Sequence, residues 1–193
     1  MKDEVLYTNK YFDVIDREGM TGITTHKLNV VIMPYVTGEA GLPDKLGVLR
    51  EMNPFREGGF SITLVTGTAE GDDPDILSTA QRELKEETGY DVTEPDRWTF
   101  LGFLTTSKMI EQEHPCFAVN VTGLDVPTKE DAEGDGTKKE EESEFMLIPV
   151  KEALESNDCF VPALFLKIFR YVFGFTMKSD DSKETPTTQN TPS

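Results

Sequence analysis

Basic residues are scarce in this chain: 19 Lys and Arg stand against 36 Asp and Glu in 193 residues, a formal charge of −17 at pH 7. A surface that acidic disfavours nonspecific attachment to long nucleic acid or to an anionic membrane. Cysteine is nearly absent. Cys116 and Cys159 make no disulfide framework, and Met1-Lys2-Asp3-Glu4 lacks the apolar core of a signal peptide, so a reducing cytoplasm is the expected location. No apolar run is long enough to span a bilayer, because the strongest, Cys159 to Phe175, is short and interrupted by Lys167 and Arg170. Gly-x-Ser-x-Gly, a Walker loop and zinc spacing are missing, and there is no internal repeat. His26 and His114 lack metal-ligand spacing and are assigned no role. The length fits one domain over residues 1–177, and Lys178 to Ser193, without large apolar residues, reads as a disordered tail.

What is present is a cluster of acids on one helix. Arg82-Glu83-Leu84-Lys85-Glu86-Glu87-Thr88-Gly89-Tyr90 sets three carboxylates at offsets 0, 3 and 4, on neighbouring parts of one helical face. Carboxylates that close repel unless a positive charge lies among them, and oxygen ligands suit a hard divalent cation, with Mg²⁺ the natural candidate. Asp73 and Pro74 read as N-cap and first helical residue and Gly89 as the residue past the end, which predicts a helix from about Pro74 to Thr88. At about 100° per residue, Ile76, Leu77, Ala80 and Leu84 form an apolar arc, with Glu87 projecting into it, Glu83 at its edge and Glu86 beyond. Acids crowding the border of a buried stripe need paired charges or a metal.

Arg-Glu-Leu-x-Glu-Glu-x-Gly followed by a bulky residue resembles the second half of the box that defines the Nudix hydrolases, which cleave a nucleoside diphosphate linked to another group. The first half departs from the family's spacing. Gly67 is followed five residues on by Asp73 instead of a glutamate, and eight residues instead of seven separate Asp73 from Arg82. The order of apolar runs also looks like a whole Nudix domain: Lys27 to Val36, Leu46 to Met52, Ser61 to Val65, the box helix, Trp98 to Thr105, Pro115 to Val121, Glu144 to Val150, then a helix from about Val161. An N-terminal hairpin, Tyr11 to Thr25, is similar to that of the ADP-ribose pyrophosphatase branch, whereas the proline usual about fifteen residues after the box is replaced by Thr105-Thr106-Ser107-Lys108.

The resemblance implies an α/β/α sandwich around a mixed β-sheet, an expectation that the residues share. Short, continuously apolar strands such as Asn29 to Met33 and Ser61 to Val65 read as inner strands covered on both faces. The resemblance further implies hydrolysis of the pyrophosphate in ADP-ribose or a nucleoside diphosphate sugar. Mg²⁺, with Mn²⁺ as the alternative, would be held by Glu83, Glu86, Glu87 and the Gly67 carbonyl. Arg82 would pair with a box glutamate, Glu141 or Glu142 would act as base or further ligand from a mobile loop, and the protein would form a homodimer through its hairpin. Dinucleoside polyphosphates, NADH and RNA 5′ ends stand as alternative substrates, and a silent nucleotide- or protein-binding module is the alternative from another class.

Other candidates carry two readings each. Arg50 and Arg56 suit bidentate phosphate recognition or simply balance an acidic surface. Phe55 and Phe60 are expected in the core ahead of stacking on a base. Asp131, Glu133, Asp135, Gly136 and Glu142 approximate a calcium loop, but Lys138 occupies its apolar anchor and a strand should follow, so a solvated acidic loop is expected. Phe160, Leu164, Phe165, Ile168, Tyr171 and Val172 recur at helical spacing and predict a core-facing helix, with a dimer-facing or interfacial helix as the alternative.

Overall fold

The computed structural model describes residues 3–39, 41–132 and 143–173. Within them, strands β1 (Glu4–Thr8), β2 (Phe12–Arg17), β3 (Met20–Thr25) and β9 (Ile110–Glu111) form one sheet in the order β1-β2-β3-β9. The second sheet runs β11-β5-β4-β10-β8, from β4 (Asn29–Thr37), β5 (Pro43–Met52), β8 (Trp98–Leu104), β10 (His114–Asn120) and β11 (Glu144–Pro149). Strands β6 (Phe60–Thr63) and β7 (Val65–Thr68) attach to β5 and β4. The sheet is mixed, because β4 and β10 are parallel while its other pairs are antiparallel.

Central strand β4 shows why its sequence is apolar without alternation. Val30 and Ile32 enter one core with Leu49, Val65, Ala80, Leu84 and Phe117, while Val31 and Met33 enter another with Leu46, Val48, Leu64 and Ala118. Helix α1 (Ile76–Thr88) covers the first core, and α2 (Val150–Ala153) and α3 (Phe160–Phe173) cover the second. The arrangement is the expected α/β/α sandwich. Among the described residues no helix is long and apolar enough to cross a membrane.

Several local expectations change. The hairpin is the middle of a four-stranded sheet, since β1 adds to β2 and β9 adds to β3, two pairings without a local signal. Ser61 to Val65 is not one inner strand. Leu64 interrupts it, turning its N–H to Asp158 Oδ2 at 2.9 Å, so that β6 pairs with β5 and β7 with β4. In α3, Val161, Leu164 and Ile168 are buried whereas Tyr171 is exposed; the Val172 side chain lies outside the described residues. Residues 178–193 also lie outside them.

Candidate active site

The site begins where β7 hands the chain to α1. Gly67 pairs with Val30 in the sheet, and Thr68 at the strand's end is fixed by its hydroxyl, which donates to Asn29 Oδ1 at 2.9 Å. A Cβ at Gly67 would overlap the Glu83 carboxyl group, so the missing side chain is what lets that carboxyl lie against the strand. Helix α1 starts two residues later than its Asp73-Pro74 signal suggests. Asp75 is the N-cap, accepting from the Ser78 N–H at 2.8 Å, and Gly89 closes the other end at φ 81° with its N–H on Lys85 O.

That correction releases Asp73 for another task. Its Oδ1 accepts from Arg82 Nε at 3.2 Å and its Oδ2 from Arg82 Nη2 at 3.0 Å, a bidentate pair. Oδ2 also accepts from the Thr79 hydroxyl and the Glu70 N–H, both at 2.9 Å. The Arg82 guanidinium first, then these two donors, hold the Asp73 carboxyl well below the usual carboxylate range. The extra residue before Arg82 and the shorter acid therefore do not separate the two groups.

Arg82 is the hub of the cluster. Besides Asp73 it donates through Nη2 to Thr68 O at 3.0 Å and through Nη1 to Glu86 Oε2 at 2.8 Å, with Glu83 Oε1 at 3.0 Å from the same nitrogen. Its carboxylate partners raise its already high pKa. Glu83 is the most deeply placed of the three helix acids, 9% exposed, and its Oε1 accepts from the Thr68 N–H at 2.9 Å. Burial pushes the Glu83 carboxyl up, and Arg82 works against that shift. Glu87, expected to sit deepest, is only half-buried. The core begins at Ala80 and Leu84, and Glu83 is pressed toward β7 by the open place at Gly67.

Among the described residues no three His, Cys, Asp or Glu side chains converge as a ready cation cage. The physical reason is visible: Arg82 lies among the acids and Glu86 is turned onto it. The donors nonetheless fit a hard cation, being carboxylate oxygens of which one is desolvated beside a backbone stripped of its Cβ.

Arg50 and Arg56 part company. Arg50 pairs with Ile62 across β5 and β6, on the face of Leu46 and Val48, and its guanidinium stacks 3.6 Å from the Phe60 ring centroid. Arg56 is exposed and lines an open groove with Asn53, Phe60, Ser61 and Thr66, the last adjoining Gly67. Phe55 is 95% exposed beside it, contrary to a core placement. Asp131 caps a short 3₁₀ turn by accepting from Thr128 at 2.7 and 2.8 Å, whereas Glu133, Asp135, Gly136, Lys138, Glu141 and Glu142 lie outside the described residues. His26 Nε2 sits 3.1 Å from Asp13, and His114 is buried against Phe160. Sequence reasoning missed Asn29, Thr68 and Thr79; only an acid nine residues ahead of Arg82 signalled the network.

A family model for the NUDIX domain matches residues 29–167, well over half of the chain. Among solved structures, the chain is similar to one described as an ADP compounds hydrolase, at 17% identity and a TM-score of 0.62, covering 90% of this chain and 93% of that one. At that identity the likeness speaks for the fold. A search of curated proteins gave no match. Fold, box helix and family match together place the chain in the Nudix family, as a Nudix pyrophosphohydrolase.

Proposed function

We propose that this enzyme hydrolyses the pyrophosphate of ADP-ribose or a related nucleoside diphosphate sugar with Mg²⁺, or alternatively Mn²⁺, as its cation. The observation that carries the reading is the Glu83 carboxyl packed against Gly67, with Glu86 and Glu87 on the same helical face. Glu83, Glu86, Glu87 and the Gly67 carbonyl would hold the cation, which when bound offsets phosphate charge and lowers the pKa of a water. Thr68 N–H and Arg82 fix the direction of Glu83. In this reading Arg56, exposed in a groove that Thr66 also lines, would take a phosphate oxygen, whereas Arg50 stacks on Phe60 of the groove wall. Glu141 or Glu142 supplies the base or a further ligand in this reading, on the strength of the resemblance alone.

A homodimer through the N-terminal sheet belongs to the same proposal. Val5, Leu6 and Tyr7 of β1 and Met20 of β3 are each more than half exposed, an apolar surface suited to a partner. A cytoplasmic location accords with the composition.

The test is product analysis on ADP-ribose, ADP-glucose, NADH, a dinucleoside polyphosphate and 5′-triphosphate RNA, with and without Mg²⁺. Metal-dependent AMP release from ADP-ribose is expected, together with its loss in the Glu86→Gln, Glu87→Gln double variant. Parental turnover by that variant would refute the assignment. Ligand binding without turnover by the parent on any substrate would favour a silent module.

A further inference from the structure

Strand β7 carries Gly67, yet it is only four residues long. It pairs with β4 through Val65 with Ile32, Thr66 with Val31, Gly67 with Val30 and Thr68 with Asn29. A slip of one residue would bring Thr66 or Thr68 opposite Val30 and turn a side chain toward Glu83. The contact has no room for one, because even a Cβ at Gly67 would overlap the Glu83 carboxyl group. The register of β7 therefore decides whether Glu83 can lie where it does.

A side chain fastens each end of the strand. Leu64, fully buried, stands between the last pair of β6, Thr63 with Leu49, and the first pair of β7. Its N–H donates to Asp158 Oδ2 at 2.9 Å, and Asp158 Oδ1 accepts from the Phe160 N–H at 2.8 Å where α3 begins. One carboxylate thus ties the entry of β7 to a helix. At the exit, the Thr68 hydroxyl donates to Asn29 Oδ1 at 2.9 Å, while the Thr68 N–H reaches Glu83 Oε1 at 2.9 Å. Both anchors lie on the face that α3 covers, away from the box helix: Asp158 leads into α3, and Asn29 shares its side of β4 with Val31 and Met33. Without Asp158, the Leu64 N–H would be a buried donor that neither strand ladder takes, an arrangement the chain can relieve only by moving.

We propose that Asp158 and Asn29 are positioning residues that pin β7 at its two ends from the far face of the sheet and so hold Gly67 against Glu83. The consequence, weaker cation binding when either pin is lost, rests on the proposed cation site. The pinning itself is a property of the metal-free chain.

Two readouts on the full chain test this: amide hydrogen exchange of residues 65–68 in chelator, and Mn²⁺ titration with the unbound ion counted by electron paramagnetic resonance. Asp158→Ser keeps an oxygen to start α3 but gives up the bond to Leu64. Thr68→Val removes the hydroxyl that Asn29 holds. Each should speed exchange in β7 several-fold and weaken Mn²⁺ binding by about three- to tenfold, no more than the low end for a direct partner of a metal ligand. Thr68→Ser restores the hydroxyl and should recover most of both. Two controls should match the parent in both readouts. Glu155→Gln removes an exposed acid from the same loop as Asp158, and Thr122→Val removes the hydroxyl that accepts from the Thr37 N–H at 2.8 Å at the far end of β4. Equal weakening by Glu155→Gln would assign the effect to charge, and equal weakening by Thr122→Val to general loss of stability; either result overturns the proposal. So does parental exchange in Asp158→Ser and Thr68→Val, or faster exchange with parental affinity, since Glu83 would then not depend on the register. If Asp158→Ser does not fold, Thr68→Val decides by the same criteria. A parent that binds no Mn²⁺ would refute the cation site, a distinguishable failure, and hydrogen exchange would still decide the pinning.

Discussion

Replacing Gly67 with alanine sets two effects against each other, and the structure gives the sign. Gly67 is not among the glycines with positive φ, so its backbone accepts an alanine. On that ground alone the change should stabilise by about 0.4–1 kcal/mol, because the unfolded chain loses freedom. The new methyl, however, would overlap the Glu83 carboxyl group. Glu83 is buried and held by the Thr68 N–H at 2.9 Å, so moving it gives up a charged hydrogen bond worth about 1.5–3 kcal/mol. Where Glu83 stays and the strand yields instead, overpacking costs about 1–3 kcal/mol. The loss wins by roughly 1–2 kcal/mol, a fall in melting temperature of about 2–8 °C for a domain of this size. Thermal melting in chelator measures the stability, and the rise in melting temperature on adding Mg²⁺ reports the site. Gly67→Ala is expected to melt lower and to respond less to the ion. An alanine variant as stable as the parent, with a full response to Mg²⁺, would show that Glu83 does not depend on the open place at Gly67.

Other substitutions separate neighbours that look alike in sequence. Arg56→Ala should raise KM for ADP-ribose about tenfold or more, the value of one charge-assisted bond to phosphate, with melting unchanged. Arg50→Ala should instead lower the melting temperature by a few degrees through loss of a stacking contact worth about 0.5–1 kcal/mol; equal effects on KM from both variants would refute the distinction. Burial depresses the His114 pKa below its ordinary 6.5, only partly offset by a hydrogen bond to the Asn29 backbone. The unfolded chain thus binds the proton first, so stability is whole above about pH 6.5 and falls as the pH drops through that value toward the folded one. Urea midpoints for His114→Gln should decline less between pH 7 and 5 than those of the parent, and parallel curves would contradict the assignment.

The contrast between Asp73 and Glu83 shows how far local rules reach. Helical period put Glu83, Glu86 and Glu87 on one side of an element whose far end Gly89 marks, because offsets of three and four residues fix neighbours within a helix. The same period, which pointed Glu87 into the apolar arc, ranked their depth wrongly. Glu83 is deepest because β7 passes over it with a glycine, a contact between segments joined by the loop from Ala69 to Asp75. The Asp73-Pro74 pair matched a helix start, yet Asp75 has the better reach to Ser78, and the loop closes Asp73 onto Arg82 instead. Sequence spacing across a loop says little about distance, since one added residue can be absorbed in the turn.

Sheet architecture divides in the same way. Continuous apolar runs announced strands buried on both faces, and two cores flanking β4 are the direct result. Which strand pairs with which was decided by long-range contacts: β1 and β9 joined the hairpin into a separate sheet, and the turn of Leu64 toward Asp158 split one apolar run between two partners. Arg50 and Arg56, six residues apart, go to an aromatic stack and an open groove because strand pairing fixes the face for one and the β5–β6 loop frees the other. The box helix, its acids and the layered fold were legible from residue order alone, since these follow from periodicity and burial within single elements. The Asp73–Arg82 bridge, the depth of Glu83 and the parting of the two arginines were not, since each depends on where separate segments of the folded chain meet.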